Sequence, residues 1–221
     1  MVRLDFLQTV VVLDLDDTIY KEADYHASGM REVCNWIEEL YDKSLADELE
    51  VLNSQSERDL LASLCQLAGL PHSVKESLLW IYRLHEPSIY LSPEAKYTID
   101  LLEQLCRVAL LTDGRSVTQR RKIKSLGLSH LPVYISEEYA SEKPSSLRFE
   151  LIMRDLPARY YVYVADNPKK DFLAPNALNW KTIGLIGDKR NIHSQDCAGM
   201  SVAQLPKKWI SSLHELIALT C

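Results

Sequence analysis

Apolar residues fall into two rhythms along this chain. The first is a set of short, continuous runs: Val10–Leu13, Val108–Leu111, Leu131–Ile135, Tyr160–Ala165 and Thr182–Ile186. Runs of this length, bounded by turn formers, are expected as strands of a parallel sheet covered on both faces. The second is the three-and-four spacing of amphipathic helices. It holds for Met30, Val33, Ile37, Leu40 and Tyr41, and again for Leu60, Leu61, Leu64, Leu67 and Ala68, which end at Gly69-Leu70-Pro71. Leu78, Leu79, Ile81 and Tyr82 predict a further helix before Pro87, and no strand pattern interrupts residues 22–90.

From Ser92 onward the two rhythms alternate. Ser92 is expected to cap a helix that has Pro93 at its first position and buries Ile99, Leu102 and Leu105. Ser116-Val117-Thr118-Gln119 has the form of a capping box, and Gly127 is placed to stop the helix it starts. Helices are expected over Leu147–Arg154 and up to about Leu178, and Trp209, Ile210, Leu213, Leu216 and Ile217 predict the apolar stripe of a last helix. Repeated strand–helix units imply right-handed crossovers. The expected fold is therefore α/β, a Rossmann-like parallel sheet with helices on both faces plus a small α-helical domain. The expected division is a core of residues 1–20 and 91–221 and a helical insert over 21–90.

Composition narrows the function classes. The 221 residues are 47% hydrophobic and 25% charged, with a formal net charge of -6. Without a basic run, wrapping a nucleic acid polymer or an anionic membrane is not expected. No apolar stretch approaches the length that spans a bilayer, and Asp5 and Asp14 interrupt any signal-peptide pattern. Cys34, Cys65, Cys106, Cys197 and Cys221 are widely spaced and include no C-x-x-C, so reduced thiols in the cytoplasm are expected rather than a disulfide framework or a zinc site.

Candidate chemistry lies where the runs end. Asp14 and Asp16 follow the first, and in extended backbone both side chains leave on the same side. Such a pair persists when a cation neutralises it or one member holds a proton. A polar loop or helix cap after a buried strand explains the same residues. In open parallel sheets, ligands bind beyond the carboxyl ends of the strands. The other ends carry Thr112-Asp113-Gly114, Lys143-Pro144 and Asp166, with Asp171 five residues on. Four strand ends thus bring carboxylates, a hydroxyl, a glycine and a lysine to one rim.

Asp14-Leu15-Asp16-Asp17-Thr18, Thr112-Asp113-Gly114, Lys143-Pro144 and Asp166-Asn167-Pro168-Lys169-Lys170-Asp171 resemble the four ordered motifs of the haloacid dehalogenase-like hydrolase superfamily. The resemblance covers the chain outside the insert, and one class of that superfamily places a helical cap at the insert's position. It implies that Asp14 is the nucleophile forming an aspartyl-phosphate. Asp16 is then the general acid and base, and neighbouring negative charge is expected to help it hold its proton. Mg²⁺ would be held by Asp14, the backbone carbonyl of Asp16 and Asp166. Thr112, Asp113, Gly114 and Lys143 would meet the phosphoryl group, with Lys143 neutralising its charge. Asp171 would orient Lys143 or a metal-bound water.

Two positions depart from the family pattern. Asp113 stands where asparagine is usual, an extra carboxylate beside an anionic substrate unless it points away or pairs with Arg115. Ala165 stands where glycine often precedes the fourth motif. Asp17 is expected to be structural, and Lys169 and Lys170 to form a solvated face.

An aspartate two residues after the nucleophile suits an alkoxide leaving group, which needs a proton, rather than a halide. The implied activity is hydrolysis of a small phosphorylated metabolite such as a sugar phosphate or nucleoside monophosphate. Phosphomutase chemistry and a non-catalytic binding role remain as alternatives. Tyr25, His26, Arg31, Tyr82, Arg83 and His85 of the insert are candidates for lining the substrate site.

Overall fold

The computed structural model of the chain describes residues 6–54 and 59–218. Six parallel strands form one sheet: β1 (Thr9–Leu13), β2 (Arg107–Thr112), β3 (Val133–Ile135), β4 (Tyr160–Ala165), β5 (Lys181–Leu185) and β6 (Lys208–Ile210), in the order β3-β2-β1-β4-β5-β6. Every residue of β1 is buried. Val10 and Val12 share a core cluster with Ala109, Leu111, Tyr163, Phe149, Ile152 and Trp180, while the alternate residues Val11, Leu13, Leu110 and Val164 are also buried. Full burial of such a side chain contributes about 1.5–3 kcal/mol. The chain steps from β1 outward to β3 and then crosses back to β4 on the other side of β1. That reversal opens a crevice beyond the β1 and β4 carboxyl ends.

Two compact units are present, one made of residues up to Ala23 and from Tyr90 on, the other Asp24–Ile89. The second unit is built from α1 (Glu22–Tyr41), α2 (Ala46–Ser54), α3 (Leu60–Leu67) and α4 (Val74–Leu84). Its core is apolar: Met30, Val33 and Ile37 meet Leu49, Leu61, Leu64 and Leu78. The spacing did not predict α2, whose stripe is sparse and whose first turn is acidic. Tyr25 and Tyr82 meet edge to face, and the buried His85 lies against both rings and within 3.2 Å of Ser28 Oγ. His26 contacts the Tyr82 hydroxyl at 3.2 Å.

The remaining helices are α5 (Pro93–Leu105), α6 (Ser116–Ser125), α7 (Ser136–Tyr139), α8 (Leu147–Asp155), α9 (Leu173–Ala177) and α10 (Glu215–Ala218). Ser92 caps α5 by accepting from the Ala95 N–H, with Pro93 at the first position, as expected. Ser116 and Gln119 do not form a capping box. Arg115 is the residue before α6, and the Ser116 hydroxyl donates to Glu138 instead. The expected last helix is also corrected, because Trp209 and Ile210 lie in β6 and only a short α10 follows. Three residues are too few to display alternation, so the stripe read through them. The better cue is Gly184, paired with Trp209 across the ladder, where an added Cβ would lie 2.5 Å from the indole. Among the described residues no helix is long and apolar enough to cross a membrane. Cys34, Cys65, Cys106 and Cys197 are free thiols, and Cys221 lies outside the described residues.

Candidate active site

β1 and β4 are neighbours, so the residues that follow them meet. The Asp14 N–H donates to Val164 O at 2.9 Å, and the buried Asp166 directly follows β4. Lys143, from the segment between α7 and α8, reaches Asp14 and Asp171. Its ammonium lies 2.8 Å from Asp14 Oδ1 and 2.6 Å from Asp171 Oδ1, and donates to the Tyr163 hydroxyl at 3.1 Å. Asp171 is fully buried and accepts the Asn167 N–H at 2.8 Å. Asp14, Asp166 and Asp171 can each bring an oxygen within 4.8 Å of the others. Burial pushes the Asp14 carboxyl up to about 6, Lys143 opposing it and Asp171 adding to it. Burial, with Asp14 and Asp171 close by, pushes Asp166 up to about 8. Burial works against the Lys143 charge, but the carboxylates outweigh it and hold its pKa well above the usual value.

Residues that sequence reasoning missed hold this cluster from the loop after β5. Asn191 donates to Asp166 Oδ2 at 3.3 Å and accepts from Lys21 at 2.6 Å. Gln195 donates to the carbonyls of Asp166 and Leu185, each at 2.7 Å. Asp17 has a φ of 55° and accepts the N–H groups of Glu22 at 3.0 Å and Ile192 at 2.7 Å. Asp17 thus ties the start of α1 to the loop after β5, the structural part expected of it.

Asp16 departs from expectation. Because β1 ends at Leu13, strand alternation does not govern the pair, and Asp14 and Asp16 go to different lysines. Asp16 Oδ1 accepts from Lys122 Nζ at 2.7 Å and from the Tyr20 hydroxyl, while Oδ2 accepts from Gln119 Nε2 at 3.0 Å. Burial disfavours its charge, but Lys122, Tyr20 and Gln119 together bring its pKa below the usual carboxylate value. The charged group in contact with Asp16 is thus the cation Lys122, where negative neighbours were expected. Lys122 was not singled out in the sequence. The cue was α6 itself, whose buried face is Gln119, Lys122 and Ile123 rather than an apolar stripe.

Asp113 does not pair with Arg115, which sits 3.7 Å from Glu137. Its carboxylate pairs with Arg148 and lies 3.5 Å from Lys170, which is half-buried rather than part of a solvated face. Burial raises the Asp113 pKa, but Lys143, Arg148 and Lys170 bring it below the usual value. Arg148 is fully buried and also donates to the carbonyls of Thr112 at 2.8 Å and Tyr134 at 3.2 Å, tying the ends of β2 and β3 together. Thr112 is buried at the end of β2. Gly114 has a φ of 136°, and a Cβ there would lie 2.7 Å from Gln119 Nε2, so the glycine lets that side chain through to Asp16 and the Asp113 carbonyl.

The family model for haloacid dehalogenase-like hydrolases matches residues 8–179, and the chain belongs to that family. It is 29% identical over 203 residues to the ribulose-1,5-bisphosphate 5-phosphatase of Halopiger xanaduensis, covering 80% of this chain and 84% of that one. In fold it is similar to a HAD-hydrolase candidate, YfnB of Bacillus subtilis, in a magnesium-bound structure. The TM-score is 0.65 at 17% identity, over 97% of this chain and 99% of that one. A 2-haloacid dehalogenase from Pseudomonas syringae gives a TM-score of 0.62 at 16% identity, over 96% of this chain and 98% of that one.

Proposed function

We propose that this hydrolase removes phosphate from a small phosphomonoester, a sugar phosphate or similar metabolite, through an aspartyl-phosphate on Asp14. The observation that carries the reading is the sealed cluster in which one lysine, Lys143, bridges Asp14 and Asp171 while Asp166 completes three converging carboxylates. Three carboxylates against one ammonium leave a deficit of two positive charges. Oxygen donors with that deficit fit a hard divalent cation, and Asp14, Asp166 and the backbone carbonyl of Asp16 are the proposed ligands for Mg²⁺. When bound, the cation supplies charge neutralisation for the phosphoryl oxygens. Asp171 faces Lys143 and acts by orienting it.

An Asp14 oxygen attacks phosphorus, the ester P–O bond breaks, and the alcohol departs with a proton. Lys122, Tyr20 and Gln119 favour the charged form of Asp16, and in this reading the proton for the departing alcohol comes from the substrate itself. A phosphomonoester, whose second pKa is about 6, carries one as its monoanion. In the second half Asp16 takes a proton from the water that attacks the phosphorylated Asp14. Lys143 and Thr112 stabilise the transferred group in both halves. The relative named for a sugar bisphosphate supports this substrate class, as do the carboxylate and lysine set that sequence reasoning placed at the rim.

The test is phosphate release from a panel of small phosphomonoesters with and without Mg²⁺, comparing wild type with Asp14→Asn. Metal-dependent turnover lost in the variant is expected. Equal rates in the two proteins overturn the nucleophile.

A further inference from the structure

The Asp16 carboxylate is gripped at three points by groups to which no role is assigned. Lys122 and Gln119 stand three residues apart on α6, so they share one face. That face is buried, with Lys122 only 2% exposed. An ammonium taken out of water is strongly unfavourable unless a carboxylate meets it. Lys122 Nζ is 2.7 Å from Asp16 Oδ1 and 3.8 Å from Glu22, and it stands 5.9 Å from the centre of the Tyr20 ring. Tyr20 donates to the same Asp16 oxygen, while Gln119 fixes the other oxygen and is itself fixed to the Asp113 carbonyl. Side-chain rotation of Asp16 would break contacts on both of its oxygens. A lysine serving only to pin α6 would need neither of the other two donors on the same carboxylate.

We propose that Lys122, with Tyr20 and Gln119, is the positioning residue that holds Asp16 as the base for the second half of the reaction, hydrolysis of the phosphorylated Asp14. In that step the water oxygen forms a bond to phosphorus, the Asp14 O–P bond breaks, and the water's proton passes to Asp16. The inference rests on the phosphatase reading above, and it predicts which half-reaction fails when the clamp is loosened. An aryl phosphate such as 4-nitrophenyl phosphate isolates that half, because its leaving group departs without a proton.

With this probe, Lys122→Met should lower kcat by about 10- to 100-fold, part of the 10²–10⁴ that a complete general base contributes. It should leave kcat/KM within about threefold of wild type, because the first half does not need the clamp. Rapid mixing should reveal a stoichiometric burst of 4-nitrophenolate, and mass spectrometry of the quenched enzyme should find phosphate on Asp14. Tyr20→Phe, which keeps the ring, should give the same pattern at smaller amplitude and carries the test if Lys122→Met does not fold. A folded variant in which kcat and kcat/KM fall together without a burst overturns the proposal and makes Lys122 a structural pin. Asp16→Asn separates the two levels. A burst there without one in Lys122→Met or Tyr20→Phe rejects the clamp alone. No burst in Asp16→Asn rejects the role of Asp16 on which the inference rests.

Discussion

Asp14 and Asp16 stand two residues apart beyond β1, yet the fold surrounds them with opposite balances of charge. Around Asp14, three carboxylates share the single buried ammonium of Lys143, and burial pushes Asp14 up to about 6 and Asp166 up to about 8. Around Asp16, Lys122 meets one carboxylate at 2.7 Å, two neutral donors complete the shell, and the pKa falls below the usual value despite burial. Glu22, the more distant claimant on Lys122, is pushed up to about 7 by burial and by Asp16. A region short of positive charge is built to receive it, whereas a region already balanced is built to stay as it is. The first therefore suits a cation and a phosphoryl group, and the second suits a carboxylate that must hold one orientation.

Lys143→Met breaks this contrast most severely. It leaves Asp14 and Asp171 buried without their ammonium, and removing one partner of a buried ion pair costs about 3–5 kcal/mol. The metal-free variant should show that loss in thermal denaturation. Its phosphatase rate should fall by about 10²–10³-fold, as when an electrostatic donor is removed from a transition state. A variant as stable and active as wild type would mean that the three carboxylates do not depend on Lys143.

The two regions also differ in how far the sequence disclosed them. Asp14, Lys143, Asp166 and Asp171 are legible because each follows a strand or sits in an ordered motif, and the sheet rule sends them to one rim. Their partners are not legible. Lys122 and Gln119 sit on a helix that looks solvent-facing in sequence, and Arg148 opens a helix whose apolar residues give no hint that its guanidinium reaches two strand ends. Asn191 and Gln195 lie in a loop without any periodic signal. The parallel sheet was readable from its buried runs, while the three-residue β6 was lost because so short a strand has no period. Long-range polar contacts depend on tertiary approach, which local pattern does not encode.

A gentler way to sharpen the contrast is pH. In the unfolded chain both carboxyls titrate near the ordinary value of about 3.9. With Asp14 at about 6 and Asp166 at about 8, the folded, metal-free protein binds more protons than the unfolded chain from about pH 4 to pH 8. Its stability therefore falls as pH rises through that window. Mg²⁺ must displace those protons, so its apparent affinity should rise about 100-fold between pH 6 and pH 8.5, mostly through Asp166. Asp16, whose pKa is lowered chiefly by Lys122 against the cost of burial, works in the opposite sense at the acid end of the window, where its stabilising contribution is lost as pH falls. Calorimetric titration at several pH values checks this, and a flat affinity would show that the cluster is not short of positive charge.

The smallest effect concerns the third carboxylate of the rim. Asp113 has two cations at its carboxylate, Arg148 in contact and Lys170 at 3.5 Å, and also accepts the neutral backbone N–H of Lys143 at 3.3 Å, so it is the inverse of the Asp14 cluster. Here the carboxylate offsets a buried guanidinium, and the family's usual asparagine would offer Arg148 an acceptor without the charge. Asp113→Asn should cost about 2 kcal/mol of stability, the scale of a hydrogen bond to a charged group. The same substitution frees positive charge beside the phosphoryl site, so KM for an anionic substrate should fall roughly threefold. The two changes have one cause and must appear together: lower stability by thermal denaturation and tighter substrate binding by steady-state kinetics. Loss of stability with unchanged KM would place the Asp113 charge out of reach of the substrate and leave it a partner for Arg148 alone.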